Sequence, residues 1–206
     1  MYKTRLVAFF SIVTFLITVV QWDNVTEVSA GAEYTPNIAV LLVDREAIRQ
    51  IDGGADLAGS FIEIVSALRD NQHFMFMSIG SELETFGPYN PTDSKYLEIR
   101  QDIAKNLNDT RFSYGGNIWD ALVAAKSVLN EQKAAVGSEV YLITGDTRRS
   151  DIKTLGIRLS PLVGTFTESG WKINGVSLPG SSPELHRFLE TISYKSGGEN
   201  FQLTGV

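Results

Sequence analysis

The run Asn37–Asp44, "NIAVLLVD", constrains the fold of this chain more than any other stretch. From Ile38 to Val43 there is no polar side chain. A strand with one wet face alternates apolar and polar residues; a continuous apolar run suits a strand covered on both faces. The run ends on a carboxylate, where the charged stretch "DREAI" begins. In an open α/β sheet, ligands bind outside the carboxyl ends of the strands. Asp44 therefore stands where such a fold does its work.

The pattern after Asp44 alternates. Leu57, Phe61, Ile64, Val65 and Leu68 recur at helical spacing, and Phe74–Ile79 reads as a second buried strand. Glu82–Tyr89 reads as a short edge strand stopped by Pro88 and Pro91. Ser94–Leu107 is a polar helix. Ile118, Leu122, Ala125 and Leu129 mark the next helix, and Glu139–Thr144 another strand. Residues 151–168 form one helix, or two short ones around Pro161. Trp171–Leu178 is a strand. Ser182 is an N-cap with Pro183 at the first helical position, and Gly197 and Gly198 end that helix. Phe201–Leu203 closes as a last strand. Strands alternating with helices imply an α/β fold with a doubly wound, mostly parallel sheet and helices on both faces. No helical pattern follows the last strand, so a covering helix is missing and the chain is either naturally short or a fragment.

Residues 1–30 read as an export signal. Lys3 and Arg5 precede the uncharged run Leu6–Val20, and "VSA" at Val28–Ala30 fits a small-residue cleavage site. The run is short for a bilayer span, which needs about 20 apolar residues. An uncleaved N-terminal anchor is the alternative, with residues 6–22 in contact with the membrane and Trp22 at its interface. Either way the remainder is expected outside the cytoplasm: secreted, periplasmic or at the cell surface. Residues 31–36 are a linker, and 37–206 form one domain.

Composition removes several function classes. The net charge is −6, which argues against binding a nucleic-acid backbone, since that needs a basic face. Cysteine is absent, which excludes disulfides, thiolate metal sites and cysteine nucleophiles. The two histidines, His73 and His186, sit in structural contexts, which disfavours a Ser-His-Asp triad or a His-rich zinc site.

From Pro36 to about Leu203 the order and spacing of elements resemble a von Willebrand factor type A domain. In that family the first strand ends in D-x-S-x-S, a later "GGT" loop opens a helix, and a further strand ends in "TDG". Together they form a metal-ion-dependent adhesion site. The corresponding segments here are "DREAI" at 44–48, "GGN" at 115–117 and "TGD" at 144–146. The phrase "AVLLVDR" and the tail "ISYKSGGENFQL" also resemble bacterial members. Asp44 keeps the family's ligand. Glu46 replaces the first serine, Ile48 the second, Asn117 the threonine, and Gly145 the aspartate, with Asp146 displaced by one position.

Oxygen donors remain at Asp44, Glu46, Asn117 and Asp146, and these are the candidate ligands for Mg²⁺, Mn²⁺ or Ca²⁺. Clustered carboxylates repel one another without a cation. Against a rebuilt site, Ile48 has no ligand atom, and a one-residue shift turns Asp146 to the opposite side of its strand. The competing reading makes Asp44 a cap for backbone amides, with Arg45, Glu46 and Arg49 in a solvated, charge-paired loop. Octahedral geometry is demanding, so the expectation is a degenerate site and no standard cofactor.

The resemblance implies a non-enzymatic interaction module that binds a protein partner through the carboxyl edge of its sheet. Arg45, Glu46, Asn117, Arg148 and Arg149 are the candidate contacts. The alternative is a metal-dependent hydrolase on the same fold using Asp44, Glu46 and Asp146. A third reading is a degenerate domain that scaffolds a membrane assembly.

Overall fold

The computed structural model describes residues 35–47, 72–80, 83–89, 117–146 and 149–202, and positions 98, 101, 102 and 105. For residues 72, 149–151 and 153–158 it describes the backbone alone. The leader, the Leu57–Leu68 helix, Ile48, Arg49, the Gly115–Gly116 pair, Arg148 and most of the Ser94–Leu107 helix lie outside those residues.

Six strands form one sheet: β1 (Asn37–Asp44), β2 (Gln72–Ile79), β3 (Leu83–Tyr89), β4 (Glu139–Thr144), β5 (Lys172–Ser177) and β6 (Asn200–Gln202). Their order is β3-β2-β1-β4-β5-β6, and only β3 runs antiparallel to its neighbour. The continuous apolar run is the middle of this sheet. β1 pairs with β2 on one side and β4 on the other, in register at Val40↔Met75 and Val40↔Val140. The chain builds outward from β1 to β2 and β3, then crosses back to start β4 on the other side. The topological switch point therefore falls between β1 and β4, at Asp44 and Thr144.

Three long helices are described: α1 (Ile118–Glu131), α2 (Arg149–Glu168) and α3 (Pro183–Ser196). Their apolar stripes pack on one face of the sheet. Leu122 of α1, Val163 and Phe166 of α2, and Leu185 and Leu189 of α3 join Val40, Leu42, Met77, Leu142 and Ile173 in one buried cluster. Burying a side chain of this size contributes about 1.5–3 kcal/mol. Leu41, Phe74, Phe76 and Tyr141, which alternate to the other face, are equally buried. That two-sided burial is the reason β1 has no polar residue in its middle.

The helix ends follow local chemistry. Asn117 caps α1, its Oδ1 accepting from the Asp120 N–H at 2.8 Å. Ser182 caps α3, with Pro183 in the first turn; Gly197, at φ 76°, closes it in the left-handed conformation.

The structure decides between one helix and two for residues 151–168. Residues 149–168 form a single helix that passes through Pro161. The proline removes one backbone hydrogen bond, but Leu159, Leu162, Val163 and Phe166 are buried on both sides of it and hold the two halves in line. β3 ends at Tyr89, where the sequence puts it, with Pro88 inside the strand. An edge strand tolerates a missing N–H on its outer side, and the pairing with β2 is irregular between Phe74 and Phe76. Gly87 sits there at φ 105°, where a Cβ would lie 2.8 Å from the Phe74 carbonyl oxygen.

Candidate functional site

The carboxyl ends of β1, β4 and β5 meet at the switch point. Asp44 is fully buried there. Its Oδ2 accepts from the Thr144 hydroxyl at 2.9 Å, across the β1–β4 pair. Its Oδ1 accepts from the backbone N–H groups of Glu46 and Ala47, at 3.2 and 3.3 Å. The side chain thus locks the end of β1 to β4 and holds the first turn after the strand. This is the amide-capping role that the second sequence reading gave it.

Asp146 does not join Asp44. Its Oδ1 accepts from the N–H of Ser182 at 3.0 Å and from the Ser182 hydroxyl at 2.7 Å. The Ser182 oxygen in turn accepts from the Leu185 N–H at 3.4 Å. Asp146 therefore braces the start of α3 through its cap residue. Asn117 is also committed: besides its cap, its Nδ2 donates to Asp120 Oδ2 at 2.7 Å. Glu46 is half-buried, and its backbone serves Asp44.

Arg45 departs from the expectation of a solvated loop. It is 5 % exposed and reaches toward β3, with Nη1 3.8 Å from Glu84 Oε2. A side chain this buried offers little to a docking partner. Arg149 opens α2, and its side chain is not described. Arg148 lies outside the described residues.

The edge also contains groups that sequence reasoning passed over. A shallow cavity of about 210 Å³ is lined by Ala47, Gly145, Asp146 and the loop Leu178–Ser181. The Pro179-Gly180 pair is a turn signal, readable in the sequence, and it shapes this wall. Thr144 and Ser182 were placed by sequence as a strand end and an N-cap, but nothing in the sequence announced them as the partners of the two carboxylates.

No protein-family model and no curated protein matches the chain. Solved structures do match. A von Willebrand factor type A structure from Catenulispora acidiphila aligns with a TM-score of 0.59 and 13 % identity, over 82 % of this chain and 38 % of that one. The protein here thus spans well under half the length of that structure. The chain has the von Willebrand factor type A fold. The conserved hypothetical protein BatB from Bacteroides thetaiotaomicron aligns at a TM-score of 0.55 and 13 % identity, over 84 % of this chain and 92 % of that one. The manganese-loaded TRAP protein of Plasmodium vivax aligns at 0.54 and 17 %, over 76 % and 62 %.

A type A fold implies a metal centre at this edge, and among the described residues its candidate ligands Asp44, Asn117 and Asp146 are engaged by the protein itself. Gly145 stands at the aspartate position of the family pattern and has no ligand atom. A Cβ built on it would lie 3.1 Å from the Ala47 Cβ, a tight contact, and 3.7 Å from Leu178 Cδ1, an ordinary one. Asp44, Asn117 and Asp146 each serve a different strand or helix end. Among the described residues, no three His, Asp or Glu side chains come together in a group fit to hold a metal ion.

Proposed function

We propose that this type A domain is an exported or membrane-tethered, non-enzymatic interaction module. It engages a protein partner through the carboxyl edge of its sheet, with no metal ion in the contact. The observation that carries this reading is the internal satisfaction of Asp44 by Thr144, Glu46 and Ala47 beside a preformed cavity. The edge needs no cation to neutralise these carboxylates, because Asp44 and Asp146 are each hydrogen-bonded by donors of the protein. The Leu178–Ser181 loop and Asp146 then supply shape and polarity for a partner. Export rests on the reading of residues 1–30; among the described residues, no helix is long and apolar enough to cross a membrane.

The test is thermal unfolding of the full chain in EDTA and in millimolar Mg²⁺, Mn²⁺ or Ca²⁺. A cation at one hundred times its Kd would raise stability by about 2.7 kcal/mol, a shift of several degrees. The expected result is no shift. A cation-dependent rise that Asp44→Ala abolishes would overturn the metal-free reading. A photocrosslinker at Gly180 should capture partner protein, while one at Val123 on α1 should not. Equal capture at both positions would overturn the assignment of the edge. Fractionation of cells expressing the full chain tests export.

A further inference from the structure

Helices α2 and α3 lie side by side, and their outer surfaces leave a groove of about 270 Å³. Leu159 and Val163 of α2 and Phe188 and Ile192 of α3 form its floor. Leu159, Val163 and Ile192 are buried, while Phe188 is half-buried and presents an aromatic surface to the opening. The rim carries Arg187, Lys195 and Glu184, all exposed. Arg187 Nε donates to the Pro183 carbonyl at 3.4 Å, and Lys195 Nζ donates to the Ser160 hydroxyl at 3.1 Å. Both contacts are to neutral oxygens. Among the described residues neither cation has a carboxylate partner.

Among the described side chains the rim thus has two cations and one carboxylate, a positive balance on a chain whose net charge is −6. Arg187 and Lys195 are eight residues apart on one helix face, roughly 12 Å along its axis at 1.5 Å per residue. An apolar floor between two helices, with cations at that spacing, has the features of a helix-in-groove site. Its complement is a helix with apolar residues at i, i+3, i+4 and i+7, flanked by carboxylates about two turns apart. A lipid surface is the poorer match, since Glu184 lies in the same groove and a membrane contact needs a broader basic face.

We propose that the α2–α3 groove seats an amphipathic, acidic helix of a protein partner. This surface is separate from the carboxyl edge, and the proposal stands whether or not the edge binds anything.

The probe is a labelled synthetic helix of about fifteen residues with a Leu stripe flanked by Glu, compared with its Lys-flanked counterpart. Binding to the full chain is read by fluorescence anisotropy. The Glu-flanked peptide should bind about tenfold more tightly, and added salt should narrow the gap. Arg187→Glu combined with Lys195→Glu should reverse the preference. Both positions are exposed, so that variant keeps its core. Phe188→Ala should weaken both peptides. Equal affinity for the two peptides, no binding of either, or an unchanged preference in the double variant would overturn the proposal. So would a dimer that the double variant dissolves, which assigns the groove to a second copy. Binding to phosphatidylserine vesicles that the same variant loses would assign it to lipid and overturn it too.

Discussion

At the carboxyl edge of the sheet, both oxygens of Asp44 and one of Asp146 accept hydrogen bonds from the protein itself. Along the α2–α3 groove, Arg187 and Lys195 reach only neutral oxygens. The first region is where the type A fold would hold a cation, and it has turned its polar groups inward. The second is an ordinary helical seam by sequence, yet its charges face outward beside an apolar floor. The physical difference is burial. A fully buried carboxylate must find donors or cost several kcal/mol, whereas an exposed cation is satisfied by water. A polar residue at the edge is thus read first as structure, and one at the groove as available for contact.

The sharpest way to break this contrast is Asp44→Ala. It strands the Thr144 hydroxyl and two backbone N–H groups in the interior, and should lower stability by about 3 kcal/mol in urea unfolding. A loss under roughly 0.5 kcal/mol would mean the lock at the edge is not structural. Gly145→Asp comes next. It restores the family's carboxylate but forces a Cβ against Ala47 and Leu178, so about 1–3 kcal/mol should be lost and no cation dependence gained. A variant that melts higher in Mn²⁺ would show that the edge can still be opened for a metal. Ser182→Ala removes the cap of α3 and the anchor of Asp146, and should cost about 1 kcal/mol. The Arg187→Glu, Lys195→Glu pair should change stability by less than about 0.5 kcal/mol, because both side chains are exposed. A larger loss would make the groove rim structural and erase the comparison.

A pH scan adds a finer check. Burial holds the pKa of His73 below its usual value. The native state keeps this group neutral where the unfolded chain takes up a proton near pH 6.5. Its contribution to stability is therefore present above about pH 6.5 and is lost as pH falls from there toward the lowered native value. His73→Gln should flatten that part of the curve, measured by unfolding midpoints across pH 5–8 at about one-unit steps.

Much of the fold was legible because its signals are local. The unbroken apolar run predicted β1 as a doubly covered strand. Glu139–Thr144 matches β4, and Ser182, Pro183 and Gly197 mark the ends of α3 where the structure has them. Local rules ran out where tertiary burial decides. Pro161 left one helix or two open, and buried side chains on both flanks carry α2 through it. Arg45 looks solvated in a charged loop, yet the fold tucks it beneath Glu84.

The site divides along the same line. From the sequence alone came the order of elements along the chain, the placement of Asp44 at a carboxyl edge and the departures from the family's ligand pattern. These follow from hydrophobic period, turn chemistry and residue identity, which act within a few positions. Only the tertiary structure decided that Asp44 pairs with Thr144, that Asp146 serves Ser182, and that Ala47 and Leu178 crowd Gly145. Each of those contacts joins residues that are distant in the chain or turns on side-chain direction. Hydrogen-bond and packing partners of that kind are selected by the geometry of the folded sheet, and no local pattern encodes them.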